Sequence, residues 1–356
     1  MDGLNEQWTG TWPQRPPEYV PTEPPEDLKA TRKHFSRIGW SFFIGAVVIY
    51  AVQLLVIGLM SFLQPEWMNN PNISLLSSVI PMYLIGMPVL ILLVKRLPGS
   101  SPTRRPIKAG SFLISVIMCF ALVYISNILG NLVTMIISLI KGGSVENEVL
   151  NVTNAVSMWA IFAYMVVCAP LMEEFVFRKL IVDKTLRYGQ GVAVVLSGLM
   201  FGLFHGNLNQ FAYAFTLGVF LAFLYVKTGN LKITIALHMM INFVGGMVTT
   251  WLMRSIDMDE YLQIALSGDQ QAAMEYMMGH LTGWILYMAF MGFVVCVIIA
   301  GGVLWIVSLV KKKFALTKGV VRIPKGKRFR TVVLNAGMIF YSIFWIVMII
   351  LQLFLS

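Results

Sequence analysis

Eight stretches of this chain run for more than twenty residues without an Asp, Glu, Lys or Arg: 38–63, 74–94, 109–140, 149–172, 188–226, 233–253, 276–310 and 331–356. A helix needs about 20 mostly apolar residues to cross the hydrocarbon core of a bilayer, so each stretch predicts at least one span. The stretch 188–226 is long enough for two, and the polar run Gly206-Asn207-Leu208-Asn209-Gln210 near its middle supplies the turn. The pattern therefore predicts an all-α fold, a polytopic transmembrane bundle of about nine helices. Pro81 and Pro88 inside the second stretch predict a kink rather than a break, because neighbouring helices can satisfy the freed carbonyls.

Charge gives the bundle a direction. Lys and Arg gather in alternate connections, which is the signature of cytoplasmic loops. Of the 27 basic residues, 25 fall in 1–37, 95–108, 178–187, 227–232 and 311–330, leaving Lys141 and Arg254 for the opposite side. The N-terminus is thus expected in the cytoplasm. Composition agrees, with 57% hydrophobic and 12% charged residues, too few charges to cover a soluble surface. The net charge of +10 is a topogenic signal, and no nucleic-acid partner is implied. Cys119, Cys168 and Cys296 all lie in apolar runs, so no disulfide framework is expected.

Four segments follow: a leader over 1–37, helices one to three over 38–156, a core of helices four to seven over 157–252, and a C-terminal part over 253–356. The leader holds Pro13, Pro16, Pro17, Pro21, Pro24 and Pro25 and is expected to be disordered. The first apolar run follows 37 polar residues and is too long for a signal sequence, so it is read as an anchor. The loop 311–330 carries nine cations, which should meet anionic lipid headgroups. The opposite connection, 254–280, is mildly amphipathic and reads as a connector or an interfacial helix.

Ionisable side chains within spans are costly, roughly 2.5–3.5 kcal/mol each on insertion scales, and default to a functional reading. The fourth span ends in Glu173-Glu174-Phe175-Val176-Phe177-Arg178. Glu174 and Arg178 are i,i+4 and can pair. Glu173 points about 100° away and has no partner nearby in sequence. Two of the four histidines also lie in spans: His205 ends the fifth, and His238 shares a helix face with Asn242 in the seventh. A carboxylate and an imidazole can hold and deprotonate a water. A second imidazole and an amide N–H can stabilise an oxyanion. The combination predicts a hydrolytic site at Glu173, His205, His238 and Asn242. The His-Glu-x-x-His pattern of helical zinc hydrolases is absent. A divalent ion such as zinc is compatible with Glu173, His205 and His238 but is not demanded.

These residues resemble the CAAX prenyl protease type II group, also called the CPBP or Abi family of intramembrane endopeptidases. Its Glu-Glu-x-x-x-Arg motif stands here as Glu173, Glu174 and Arg178, with Phe177 before the Arg. Its Phe-x-x-x-His motif is Phe201 to His205, and its His-x-x-x-Asn motif is His238 to Asn242. The run Tyr225-x-x-Thr228-Gly229-Asn230 is also similar to what members carry. The resemblance covers about 160–245. It implies water activation by Glu173 with His205 and an oxyanion hole of His238 with Asn242. Glu174, Arg178 and Phe201 are then structural supports. The mechanism is either metal-dependent or of a metal-free glutamate type. Lys179 departs from the Gly that is common there. The implied substrates are membrane-associated or lipidated peptides and proteins, and the implied setting is a cell membrane, bacterial rather than endoplasmic reticulum. The alternative of another functional class is a non-catalytic membrane binder or bacteriocin-immunity protein built on the same fold.

Overall fold

The computed structural model describes residues 28–143 and 145–355, so the proline-rich part of the leader lies outside the described residues. Among the described residues nine apolar helices follow one another: α1 Leu28–Leu63, α2 Pro71–Lys95, α3 Ala109–Lys141, α4 Met158–Tyr188, α5 Gln190–Phe204, α6 Leu208–Thr228, α7 Leu231–Ser255, α8 Leu281–Val310 and α9 Ala336–Phe354. Eight of them are long and apolar enough to cross a membrane, and the chain is a multi-pass membrane protein. The fifth is the short member of the bundle. α5 has 15 residues, about 22 Å of helix, short of the roughly 30 Å of a hydrocarbon core. It stops because Gly206 takes φ 67° and Asn207 then caps α6, its side chain accepting from the Gln210 amide at 2.8 Å. α1 differs at its other end: it begins at Leu28 and carries Lys29, Arg32, Lys33 and Arg37 as helix.

α6 is the central helix, with 61% of its apolar window enclosed against 17% for α8. It lies between α5 and α3 and also touches α7, while α1 packs on α2 and α9, and α8 covers α3. The α5–α6 contact is backbone to backbone. A Cβ on Gly198 would stand 2.8 Å from the Val219 nitrogen, and one on Gly218 would stand 2.9 Å from the Gly198 Cα. Small residues of this kind let membrane helices approach closely, and here they fix where the end of α5 sits.

Three helices are locally widened. In α2 the ladder passes into a π-helical turn over Met82–Gly86, directly after Pro81, and resumes as α-helix at Met87. The helix is widened there and not broken. In α4, π-helical segments Ile161–Cys168 and Glu174–Val182 flank a short α-helical piece, Ala169–Glu173. In α7 a third runs over Phe243–Val248, just past Asn242. Wide turns of this sort are frequent at functional sites.

The connections are structured too. A short helix, Glu148–Ala155, precedes α4, and the connection 254–280 folds into two, Met258–Leu266 and Gln270–Gly279. Arg254 at the end of α7 donates to the Thr153 carbonyl and, at 2.5 Å, to that of Val156, tying that connection to the short helix. Near the basic end of α4, Lys179 pairs with Asp183 at 2.8 Å and donates to the Ser101 hydroxyl at 2.6 Å. Asp183 also accepts from Ser101 and from the Tyr225 hydroxyl. The Lys that departs from the family pattern therefore joins α4 to the α2–α3 loop.

Candidate active site

Glu173, His205, His238 and Asn242, from α4, α5 and α7, all line one cavity of about 330 Å³. The predicted supports lie around and behind it. Glu174 and Arg178 are fully buried and pair at 3.2 Å. Arg178 places its guanidinium 4.3 Å from the centre of the Phe201 ring, and both terminal nitrogens are buried without a hydrogen-bond partner. Its charge is held by the carboxylate and by the ring face. Phe201 meets His205 edge-on with ring centres 4.7 Å apart, and His238 at 5.8 Å. One aromatic ring thus sets the position of a cation and two imidazoles.

Glu174 does more than sequence spacing suggests. Its second oxygen meets His238 Nδ1 at 2.9 Å, so one buried carboxylate bridges Arg178 and His238. A carboxylate facing Arg178 accepts, hence His238 carries its proton on Nδ1 and turns Nε2 toward the cavity. Glu173 faces that nitrogen at 3.6 Å, with its side chain 17% exposed where that of Glu174 is wholly buried. Of the two adjacent glutamates, Glu173 is therefore the one that reaches the cavity.

His205 follows the same logic. Its Nδ1 lies 2.8 Å from the Phe201 carbonyl, which only accepts, so the proton sits on Nδ1 and Nε2 is left with its lone pair. The expected partnership of Glu173 with His205 is a shared cavity and not an ion pair, since the imidazole paired with Glu173 belongs to His238. Asn242 donates one amide N–H to the Met165 carbonyl at 2.8 Å, in the π-helical part of α4, and keeps a second N–H.

Sequence reasoning missed several residues of the wall. Tyr83, Tyr164, Tyr213, Gln210 and Glu148 line the same cavity. No pattern marks them, because tyrosines are ordinary in spans and Glu148 reads as a loop acid. A metal centre would need three or four donors converging on one point. Among the described residues no three His, Cys, Asp or Glu are gathered closely enough to hold an ion. Glu173, His205 and His238 are therefore not arranged as a ready three-ligand centre.

The comparisons with known proteins fall on this same segment. Residues 155–244 match the family described as type II CAAX prenyl endopeptidase Rce1-like. The Bacillus subtilis (strain 168) protein named "Putative membrane peptidase YdiL" is 26% identical over 187 residues, 50% of this chain and 73% of that protein. The "Membrane-embedded CAAX protease MroQ" of Staphylococcus aureus (strain USA300) is 33% identical over 90 residues, 23% of this chain and 36% of that one. No solved structure matches the chain. The motifs that line the cavity thus fall within the segment, about a quarter of the chain, that is similar to the Rce1-like CAAX prenyl endopeptidase family, and the relatives that match are named as a membrane peptidase and a membrane-embedded protease.

Proposed function

We propose that this protein is an intramembrane endopeptidase that hydrolyses a peptide bond of a membrane-associated or lipidated substrate. The observation that carries the reading is the convergence of Glu173, His205, His238 and Asn242 on one cavity. A water in that cavity gives its proton to Glu173, assisted by the free Nε2 of His205, as its oxygen attacks the scissile carbonyl carbon. The oxyanion is met by the spare N–H of Asn242, with the His238 ring beside it. Glu174 on Nδ1 holds that ring in place, as a buried carboxylate does in a catalytic triad. Collapse breaks the C–N bond, and Glu173 returns the proton to the departing amine. Glu174, Arg178 and Phe201 hold these groups in place. Both curated relatives are bacterial, which favours a bacterial cell membrane as the setting.

The test works without an identified substrate. New peptide termini are compared in membranes of cells producing the wild-type chain, Glu173→Gln or His205→Ala. Termini that appear only with the wild type support the reading. Identical sets in all three would assign the fold to binding or immunity without catalysis. Repeating the comparison with purified protein, with metal analysis and chelator, separates the two chemistries. Zinc at one equivalent, lost together with cleavage, assigns a metal mechanism. Cleavage persisting in chelator assigns water activation by the side chains alone.

A further inference from the structure

A second cavity, of about 440 Å³, lies away from the active site where α4 ends, α5 begins and the basic loop folds back. Its wall is apolar, formed by Val195 and Leu199 of α5 with Leu316 and Phe329, while Lys318 and Arg328 stand at its rim. The wall opens outward, with Val195 53% and Phe329 64% exposed.

The loop is pinned, so the rim is built and not incidental. Gly189 and Lys318 form an antiparallel bridge. The Gln190 amide donates to the Thr317 carbonyl at 3.1 Å, and the Thr317 amide donates to the Gln190 side chain at 3.1 Å. The Val321 amide donates to the Arg187 carbonyl at 3.0 Å, and Lys227 donates to the Ala315 carbonyl. Gly319 sits so close to the α4–α5 corner that a Cβ would lie 2.3 Å from the Gly189 nitrogen. No acid occurs in 311–330. Among the described residues neither Lys318 nor Arg328 has an ion-pair partner.

We propose that this groove binds an anionic phospholipid of the leaflet beside the basic loop, its phosphate at Lys318 and Arg328 and its acyl chains along Val195, Leu199 and Phe329. A soluble anion would leave the apolar wall uncovered, and a neutral lipid would leave the two cations unmatched. An anionic phospholipid satisfies both, and the volume falls within the range of small-molecule sites. The assignment is independent of peptidase activity.

The probe is a detergent-solubilised mixture of dioleoyl phosphatidylglycerol and dioleoyl phosphatidylcholine in equal amounts, with bound lipid read by native mass spectrometry of the full chain. The wild type should retain phosphatidylglycerol preferentially. Lys318→Gln with Arg328→Gln should lower that preference about 30-fold, the expected contribution of two cations near an anionic headgroup. Val195→Trp, which fills the groove and keeps the cations, should release bound lipid of either kind. Lys311→Gln with Lys325→Gln removes the same charge away from the groove and should change little. Equal retention of the two lipids by the wild type overturns the proposal. So does an equal loss in the Lys311/Lys325 control, because diffuse loop charge then explains the preference. If the Lys318/Arg328 variant fails to fold, Val195→Trp decides: a folded Val195→Trp protein that retains phosphatidylglycerol as the wild type does overturns the site.

Discussion

Two adjacent glutamates occupy opposite sides of the same chemistry. Glu174 is buried between Arg178 and His238, so its neutralisation leaves a buried cation without its counter-charge. Glu174→Gln should therefore cost about 3–5 kcal/mol and lower the Tm in detergent. Glu173→Gln removes a carboxylate that faces the cavity, and it should leave the Tm near that of the wild type while proteolysis falls by two orders of magnitude or more. Equal melting losses in the two variants would contradict the division of roles. A third acid, Glu148, stands at the cavity wall, where burial, and after it the charge of Glu146, push its carboxyl above the usual range. The folded state then disfavours the ionised form, a penalty absent below the unfolded pKa and growing as pH rises through the folded one. Glu148→Gln should accordingly melt higher than the wild type at neutral pH, and the difference should vanish in acid. A variant that gains nothing between acid and neutral melts would show that Glu148 ionises without cost.

At the scale of helices, placement of the site depends on how closely α5 approaches α6. Gly198→Leu would drive a side chain against the Val219 backbone, costing about 1–3 kcal/mol as overpacking and moving His205 off the cavity. Gly292→Ala on α8, where a Cβ meets nothing within 4 Å, should change neither Tm nor cleavage appreciably. If Gly198→Leu kept full activity, the α5–α6 contact would not be what positions His205. Sequence reading grouped residues that share one cavity because polar groups in apolar spans stand out: His205, His238 and Asn242 needed only spacing to be grouped. Their setting was less legible. A charge count sees 188–226 as one apolar run, and it cannot show that the turn at Gly206 cuts α5 to 15 residues. Hydropathy is blind to whether a ladder is α or π, so the widened turns around Glu173 and after Asn242 left no trace. The start of α1 was missed for the opposite reason: Lys29, Arg32, Lys33 and Arg37 read as loop, though a helix can continue beyond the membrane with its charges in water.

For the whole molecule, the two cavities lie toward opposite ends of the bundle. The candidate active-site cavity reaches Glu148 and Gln210, near the connections that carry acids, whereas the second groove lies under the basic loop. If basic loops face the cytoplasm, the candidate active-site cavity is approached from the non-cytoplasmic half of the membrane. Labelling with a membrane-impermeant maleimide tests this, using Ser267→Cys in the acidic connection and Lys325→Cys in the basic loop, both exposed. Of the native cysteines, Cys119 is buried, and Cys168 and Cys296 lie within spans, so the parent chain supplies the background to subtract. In intact cells Ser267→Cys should react and Lys325→Cys should react only after permeabilisation. The reverse pattern would invert the orientation and place the mouth of the active site on the cytoplasmic side, where a substrate lipidated in the cytoplasm could reach it without crossing the membrane. Orientation therefore constrains the substrate: with the basic loop inside, candidates are segments delivered through the bilayer or exposed at its outer face.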